Sequence, residues 1–194
     1  MKTEEKLSEQ IYNSIRDDII TGAIDDQTFL TEKELAKRYE VSKAPVRDAL
    51  HLLCAQRYLI SYPRKGYMVA RYSQKDVQQM QMVRLPLERL AVELVIANAS
   101  NEEIAGLRAF NIRQQGTTDP SMTSNARFHM HLAQLSGNPY LAQALQPLVN
   151  NVARFWIQID VSMDFSKHND LIDAMLHRDL PLALQILEED LADA

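Results

Sequence analysis

The spacing of apolar residues divides the first seventy positions into three helical stretches and one alternating stretch. Leu7, Ile11, Ile15 and Ile19 recur every four residues with Ile20 beside them, which predicts an amphipathic helix over 4–21, closed by Gly22. The adjacent Asp17 and Asp18 fall off this stripe and read as solvated. Thr31 stands three residues before Glu34, the spacing of a reciprocal capping box, and Leu35, Ala36 and Tyr39 then form a short apolar stripe. Glu40-Val41-Ser42 reads as a tight turn, with Ser42 as the cap of a third helix. Pro45 falls in that helix's first turn, where a missing N–H costs little. Val46, Ala49, Leu50 and Leu53 recur at helical spacing and should face a core. The period then shortens: Leu59, Ile60 and Tyr62 predict a strand, Pro63-Arg64-Lys65-Gly66 a turn, and Tyr67, Met68 and Val69 the returning strand. That order describes a winged helix-turn-helix.

After position 70 no alternation remains. Ser73 and Asp76 begin a long helix to about 98, which Pro86 should kink or split. Ser100 with Glu103 caps a helix to about 116, and a polar loop with Pro120 follows. A helix through Phe128 ends at Gly137, and Asn138-Pro139 opens one to about 160. Asp164 or Ser166 caps the next, through His177, and Asp179 the last. The pattern predicts a mainly α chain. A winged helix-turn-helix occupies 1–72, and an all-α bundle of about six helices occupies 73–194. The short connection at Arg71-Tyr72 argues for coupling between the two.

Charge sharpens this picture. Residues 31–72 hold nine Lys or Arg against four Asp or Glu, a net +5 within a chain whose total is −5. A basic module in an acidic chain is the footprint of local phosphate binding. Lys43 and Arg47 share one helix face near its start, where free N–H groups and the helix dipole also favour an anion.

The module resembles the DNA-binding domain of the GntR family of bacterial transcription regulators. The resemblance rests on Leu30, Leu35-Ala36, Val41-Ser42-Lys43, Pro45-Val46-Arg47, Ala49-Leu50 and the stretch from Gly66 to Val69. It implies a duplex operator as partner, contacts from Lys33, Ser42, Lys43, Arg47, Arg64, Lys65 and Gly66, and a homodimer. Three positions depart from the family pattern: Lys43 where Arg is usual, Glu40 where the turn usually has Gly, and Asp26-Gln27 where Pro-Gly is usual.

In the helical half, Asn125 and His129 lie four apart on one helix face, His168 begins a later helix and Asp190 lies near the end of the last. Imidazole nitrogens with carboxylate and amide oxygens suit a borderline divalent metal such as Zn, Ni or Mn, although on residue types and spacing alone a structural polar core is the stronger reading. This half resembles the FCD effector-binding domain through Phe128-His129, Ser136-Gly137-Asn138-Pro139 and His168-Asn169-Asp170-Leu171. The resemblance implies a metal held at Asn125, His129, His168 and Asp190, with Arg84 holding a small carboxylate effector. Asn125 and Asp190 stand where the family usually has Asp and His, so one carboxylate remains among the four groups. A metal-free pocket in which His129, His168 and Arg84 bind an anion directly is the alternative. His131 and His177 point elsewhere by spacing, Trp156 and Phe155 read as core or dimer contacts, and Cys54, the one cysteine, reads as a buried small hydrophobe.

No apolar run approaches the roughly 20 residues needed to span a bilayer, and MKTEEKLSEQ is no signal peptide, so a cytoplasmic protein without membrane partners is expected. The leading function is an operator-binding regulator switched by a carboxylate metabolite. The alternatives are a regulator without a ligand and a metal-dependent hydrolase using His129, His168 and Asp190. The hydrolase lacks any nucleophile with a neighbouring base, and a non-enzyme is expected.

Overall fold

The computed structural model describes residues 2–110, 124–158 and 166–193, which divide into two compact units between Arg71 and Tyr72. The first contains helices α1 (Lys2–Ile20), α2 (Glu32–Arg38) and α3 (Lys43–Ala55) and strands β1 (Leu59–Tyr62) and β2 (Gly66–Val69). Ile11, Ile15 and Ile19 of α1 bury against Leu35, Val46, Ala49, Leu50 and Leu53, and Ile24, Tyr58, Leu59 and Val69 complete this core. Burying a side chain of this size contributes about 1.5–3 kcal/mol, so the stripe on α1 is what seats the other two helices.

Local chemistry sets the element ends. Thr31 and Glu34 form both halves of the capping box, worth on the order of 1 kcal/mol. At the other end of α2, Val41 N–H donates to the Ala36 carbonyl at 3.0 Å. This closure needs a left-handed residue between, and Glu40 supplies it at φ 56°. Ser42 occupies the N-cap of α3 but its side chain makes no capping hydrogen bond, contrary to the sequence reading. Of the two N–H groups such a cap can use, those of the second and third helical residues, the third belongs to Pro45, which has none. Asp18 also departs from expectation. Rather than being merely solvated, it accepts from Arg38 Nη2 and the Tyr39 hydroxyl, both at 2.7 Å, tying α1 to α2. Cys54 is only half-buried, at the edge of the core.

The strands pair antiparallel, Leu59 with Val69 through Tyr62 with Gly66. The sequence pattern did not show a third participant. Leu30 donates to the Tyr67 carbonyl at 2.7 Å and accepts from its N–H at 2.9 Å, so the hairpin is braced by the extended chain before α2. This brings the Leu30 carbonyl so close that a Cβ on Gly66 would lie 2.2 Å from its oxygen.

The second unit contains α4 (Gln74–Asn98), α5 (Asn101–Gly106), a 3-10 turn at Leu107–Phe110, α6 (Ser124–Leu135), α7 (Pro139–Gln158), α8 (Ser166–Leu176) and α9 (Leu180–Asp193). Ser73 with Asp76 and Ser100 with Glu103 form full capping boxes. Asn138 Oδ1 accepts from the Tyr140 and Leu141 N–H groups at 3.1 and 3.2 Å. Pro86 does not split α4, which runs unbroken through it. The α5 helix gives way to the 3-10 turn at Leu107, earlier than expected. The predicted end near 116, the loop with Pro120, the end of α7 near 160 and the Asp164 cap lie outside the described residues. Val92, Val95, Ile104, Phe128, Leu132, Leu145, Leu171 and Leu187 form the core that six helices share.

Candidate nucleic-acid interface and candidate metal centre

In the first unit the start of α3 faces water. Ser42, Lys43 and Arg47 are exposed while the adjacent Pro45 and Val46 are buried, so the apolar stripe that fixes the helix also sets its basic face outward. Lys33 on α2 is exposed as well. Arg64 and Lys65 stand exposed in the hairpin turn, Arg64 at φ 66°, and Lys65 Nζ lies 5.8 Å from the Phe29 ring centroid. Gly66 opens β2 at φ 116°.

Arg47 is already engaged. Its Nε and Nη2 donate to the two carboxylate oxygens of Glu32, each at 3.1 Å. Hydrogen bonding to Arg47 holds the Glu32 carboxyl below its ordinary range, and the same bond raises Arg47. Tyr67 on β2 is raised by burial and then by the Glu32 charge, which places the strand beside this pair. The fork fixes the guanidinium plane and leaves one edge outward. Glu32 is a participant the sequence reading missed, because a contact between two different helices leaves no spacing signal.

In the second unit four helices bring the other candidates together. From α6, His129 is fully buried and Asn125 nearly so; His168 from α8 and Asp190 from α9 are also buried. Asn125 Oδ1 lies 3.1 Å from His129 Nε2. Asp190 Oδ2 stands 3.3 Å from His129 Nε2 and 3.6 Å from His168 Nε2, and it makes no well-formed hydrogen bond among the described residues. Phe128 stacks on the His168 ring at 3.9 Å and 13°, fixing its plane.

Arg84 from α4 joins this cluster through Glu88. Arg84 Nε donates to Glu88 Oε1 at 2.8 Å, and His129 Nδ1 lies 2.5 Å from Glu88 Oε2. Arg84 is 1% exposed, and its Nη2 is buried without a hydrogen-bond partner among the described residues. A charged donor left so costs on the order of 1–3 kcal/mol. Glu88 is the second missed residue. Its place four after Arg84 is a readable helix pairing, whereas its reach to His129 is not.

The electrostatics follow from burial and pairing. Burial pushes the Glu88 carboxyl up, and the Arg84 and His129 charges more than reverse this, leaving it at about 2. Burial likewise works against the charged forms of Asp190 and His129. The two histidines hold Asp190 well below the carboxylate range, and Glu88 with Asp190 lifts His129 above its ordinary value. His168 is lowered, mainly by burial.

The group fits a divalent cation. The ligating atoms of His129, His168 and Asp190 all lie within 4.8 Å of one another. Donors bound at about 2.1 Å in a tetrahedron stand about 3.4 Å apart, close to the spacings found. Asn125 Oδ1, 3.1 Å from the same His129 nitrogen, could serve as a fourth donor. His131 and His177 stay apart, each bonded to a backbone carbonyl of its own helix at 2.8 Å. Phe155 and Trp156, both half-buried, line a separate cleft of about 330 Å³ with Val77, Met82 and Leu191. No helix of the described residues is long and apolar enough to cross a membrane.

Comparison with known proteins matches both units. Residues 7–69 match the family described as bacterial regulatory proteins, gntR family, and residues 79–193 match the FCD domain. The HTH-type transcriptional regulator YdhC of Bacillus subtilis (strain 168) is 34% identical over 152 residues, 75% of this chain and 67% of that protein. The HTH-type transcriptional repressor GlaR of Escherichia coli (strain K12) is 27% identical over 199 residues, 93% of this chain and 90% of that one. Among solved structures, E. coli McbR/YncC superposes with a TM-score of 0.74 at 20% identity, covering 96% of this chain and 94% of that one.

Proposed function

Because the chain belongs to the gntR family of bacterial regulatory proteins and carries an FCD domain, it is a transcription regulator, and we propose that it binds a duplex operator as a homodimer and is switched by a small carboxylate held in the helical unit. The observation that carries the ligand half is the buried centre itself, where Arg84 Nη2, without a hydrogen-bond partner among the described residues, lies one carboxylate away from the His129, His168 and Asp190 cluster. The relatives' description as regulators and a repressor supports the DNA half.

At the DNA surface, Lys43 and Arg47 present cations at a helix start, and Lys33, Arg64, Lys65 and Gly66 extend the basic surface along α2 and the hairpin. Phosphate contacts of this kind position the protein, and Arg47 is the side chain with the geometry to read a guanine edge. One winged unit reaches few base pairs, so two copies on a two-fold operator supply the needed specificity.

In the helical unit, His129 and His168 through Nε2, Asp190 through Oδ2 and Asn125 through Oδ1 would hold a divalent metal of the Zn, Ni or Mn class. When bound, such an ion supplies a Lewis-acid position for a carboxylate oxygen. Arg84 orients that carboxylate through Nη2. Because the ligands come from α6, α8 and α9 and the arginine from α4, occupancy draws four helices onto one point, and α4 continues directly from the DNA-binding unit. A ligand moves the operator equilibrium only by its differential affinity for the two arrangements.

A metal-free reading is favoured by one observation. With His129 protonated, the direction in which Glu88 and Asp190 push it, Arg84 and His129 balance Glu88 and Asp190, and the centre is electroneutral with no cation added. In that reading an anion binds Arg84 and the histidines directly.

Fluorescence anisotropy of the full chain on promoter-proximal duplexes, with metal content measured on the same preparation, tests the proposal. Two-fold operator binding that shifts with added small carboxylates supports it. Absence of binding to any such duplex at low salt would overturn it.

A further inference from the structure

Glu88 has no part in the switch described above, yet it is a fully buried carboxylate with a different partner on each oxygen. Resting on the metal reading, we propose that Glu88 is the positioning residue of the centre. Arg84 fixes one of its oxygens, the other takes the His129 Nδ1 proton, and Nε2 is thereby the nitrogen presented to a divalent cation.

The argument is one of donors and acceptors. A neutral imidazole has one N–H and one lone pair, and its neighbours decide which nitrogen has which. A carboxylate oxygen only accepts, so at 2.5 Å from Glu88 Oε2 the Nδ1 atom must carry the proton. Nε2 then turns its lone pair toward Asp190 Oδ2 at 3.3 Å and Asn125 Oδ1 at 3.1 Å. Two acceptors facing a lone pair repel each other unless something electropositive lies between: a second ring proton in the metal-free centre, a divalent cation in the metal-bound one. The orientation of Glu88 is set in turn by the guanidinium, whose Nε–H holds Oε1 at 2.8 Å. A carboxylate behind a ligating histidine is a recurrent device, and losing it typically costs 10–100-fold in metal affinity.

Arg84 makes the test specific. In Glu88→Gln the side-chain oxygen must stay on the Arg84 N–H, so the amide nitrogen faces His129 and donates to Nδ1. The ring proton is then forced onto Nε2, which can no longer ligate. Adding Arg84→Met frees the amide to rotate, and its oxygen can again accept from Nδ1. The shape of the core is nearly the same in both variants, but the second substitution also removes a buried positive charge that Glu88→Gln leaves without its partner, so recovery counts for the positioning role only together with cobalt seen on His129 Nε2.

The experiment is Co²⁺ titration of the full chain by calorimetry, with a crystal structure of the Co²⁺-loaded wild type. Expected are a loss of at least tenfold in Co²⁺ affinity for E88Q and recovery of most of it in the R84M/E88Q double variant. The structure should show cobalt on His129 Nε2 and Nδ1 bonded to Glu88. E88Q binding Co²⁺ as tightly as wild type, or cobalt on Nδ1, would overturn the positioning role while leaving the metal site intact. A wild type that takes up no Co²⁺ overturns the metal reading and this inference together. Should E88Q fail to fold, the nitrogen bound in the wild-type crystal decides.

Discussion

Replacing Gly66 with alanine should detach the hairpin from α2 without dissolving the rest of the DNA-binding unit. The added Cβ would lie 2.2 Å from the Leu30 carbonyl oxygen and 3.2 Å from its carbon. Neither is a flexible side-chain end. The Leu30 backbone is pinned to Tyr67 by two hydrogen bonds, of 2.7 and 2.9 Å, so relief requires the strands to part by about 1 Å, which breaks both. At about 1 kcal/mol each this is about 2 kcal/mol. A φ of 116° adds roughly 1–2 kcal/mol for a residue with a Cβ. The sum, about 3–4 kcal/mol, is a large share of the stability of a small domain but less than all of it. Urea unfolding followed by circular dichroism should show the loss. If Arg64 and Lys65 contact phosphates as proposed, anisotropy on an operator duplex should show weaker binding with a salt dependence flatter by about two units. Unchanged stability within about 0.5 kcal/mol, with unchanged DNA affinity, would refute the reasoning, because the steric argument leaves no cheap accommodation.

Three further outcomes are expected. Glu40→Gly should stabilise the first unit by about 0.5–1 kcal/mol, since the left-handed cost of 1–2 kcal/mol exceeds the entropy glycine adds to the unfolded chain; a destabilised variant in urea would contradict this. Glu32→Gln releases Arg47 from its fork and should tighten DNA binding by up to about fivefold at fixed salt, the most that an exposed ion pair is typically worth; an unaltered affinity would mean Arg47 does not engage DNA. In the metal-free protein the stability of the helical unit should peak near pH 6.5. The His129 pKa is raised, so its contribution is complete below 6.5 and is lost as pH climbs through the folded-state value. His168 is depressed, so stability falls as pH drops below 6.5, and Glu88 and Asp190 add losses at more acid pH, Glu88 down to about 2. Melting temperature against pH checks this, and a steady rise from pH 6.5 to 8.5 would refute it.

Much of the fold could be read from residue order, because its signals are local. Caps at Thr31, Ser73, Ser100 and Asn138 act within four residues, and the stripes on α1 and α3 repeat over a single helix. What escaped was set by distant contacts. Asp18 looks solvated until α2 lies across it, and the Leu30–Tyr67 bridge joins segments too far apart for any pattern to register. Ser42 failed as a cap for a reason that was present in the chain: a proline three positions on cannot donate, and the two local rules conflicted. At the buried centre, residue types and family likeness pointed to Asn125, His129, His168, Asp190 and Arg84. Glu88 was passed over because its importance comes from standing between two other side chains.

That conflict at the start of α3 has a consequence for recognition. With Pro45 in place, α3 begins without a side-chain cap from its own chain, and the exposed Ser42 hydroxyl makes no capping hydrogen bond. An oxygen from outside can take up the vacant role, and a phosphodiester carries one. If the proposed operator binding places a phosphate oxygen there, the same contact that grips the duplex would also cap α3.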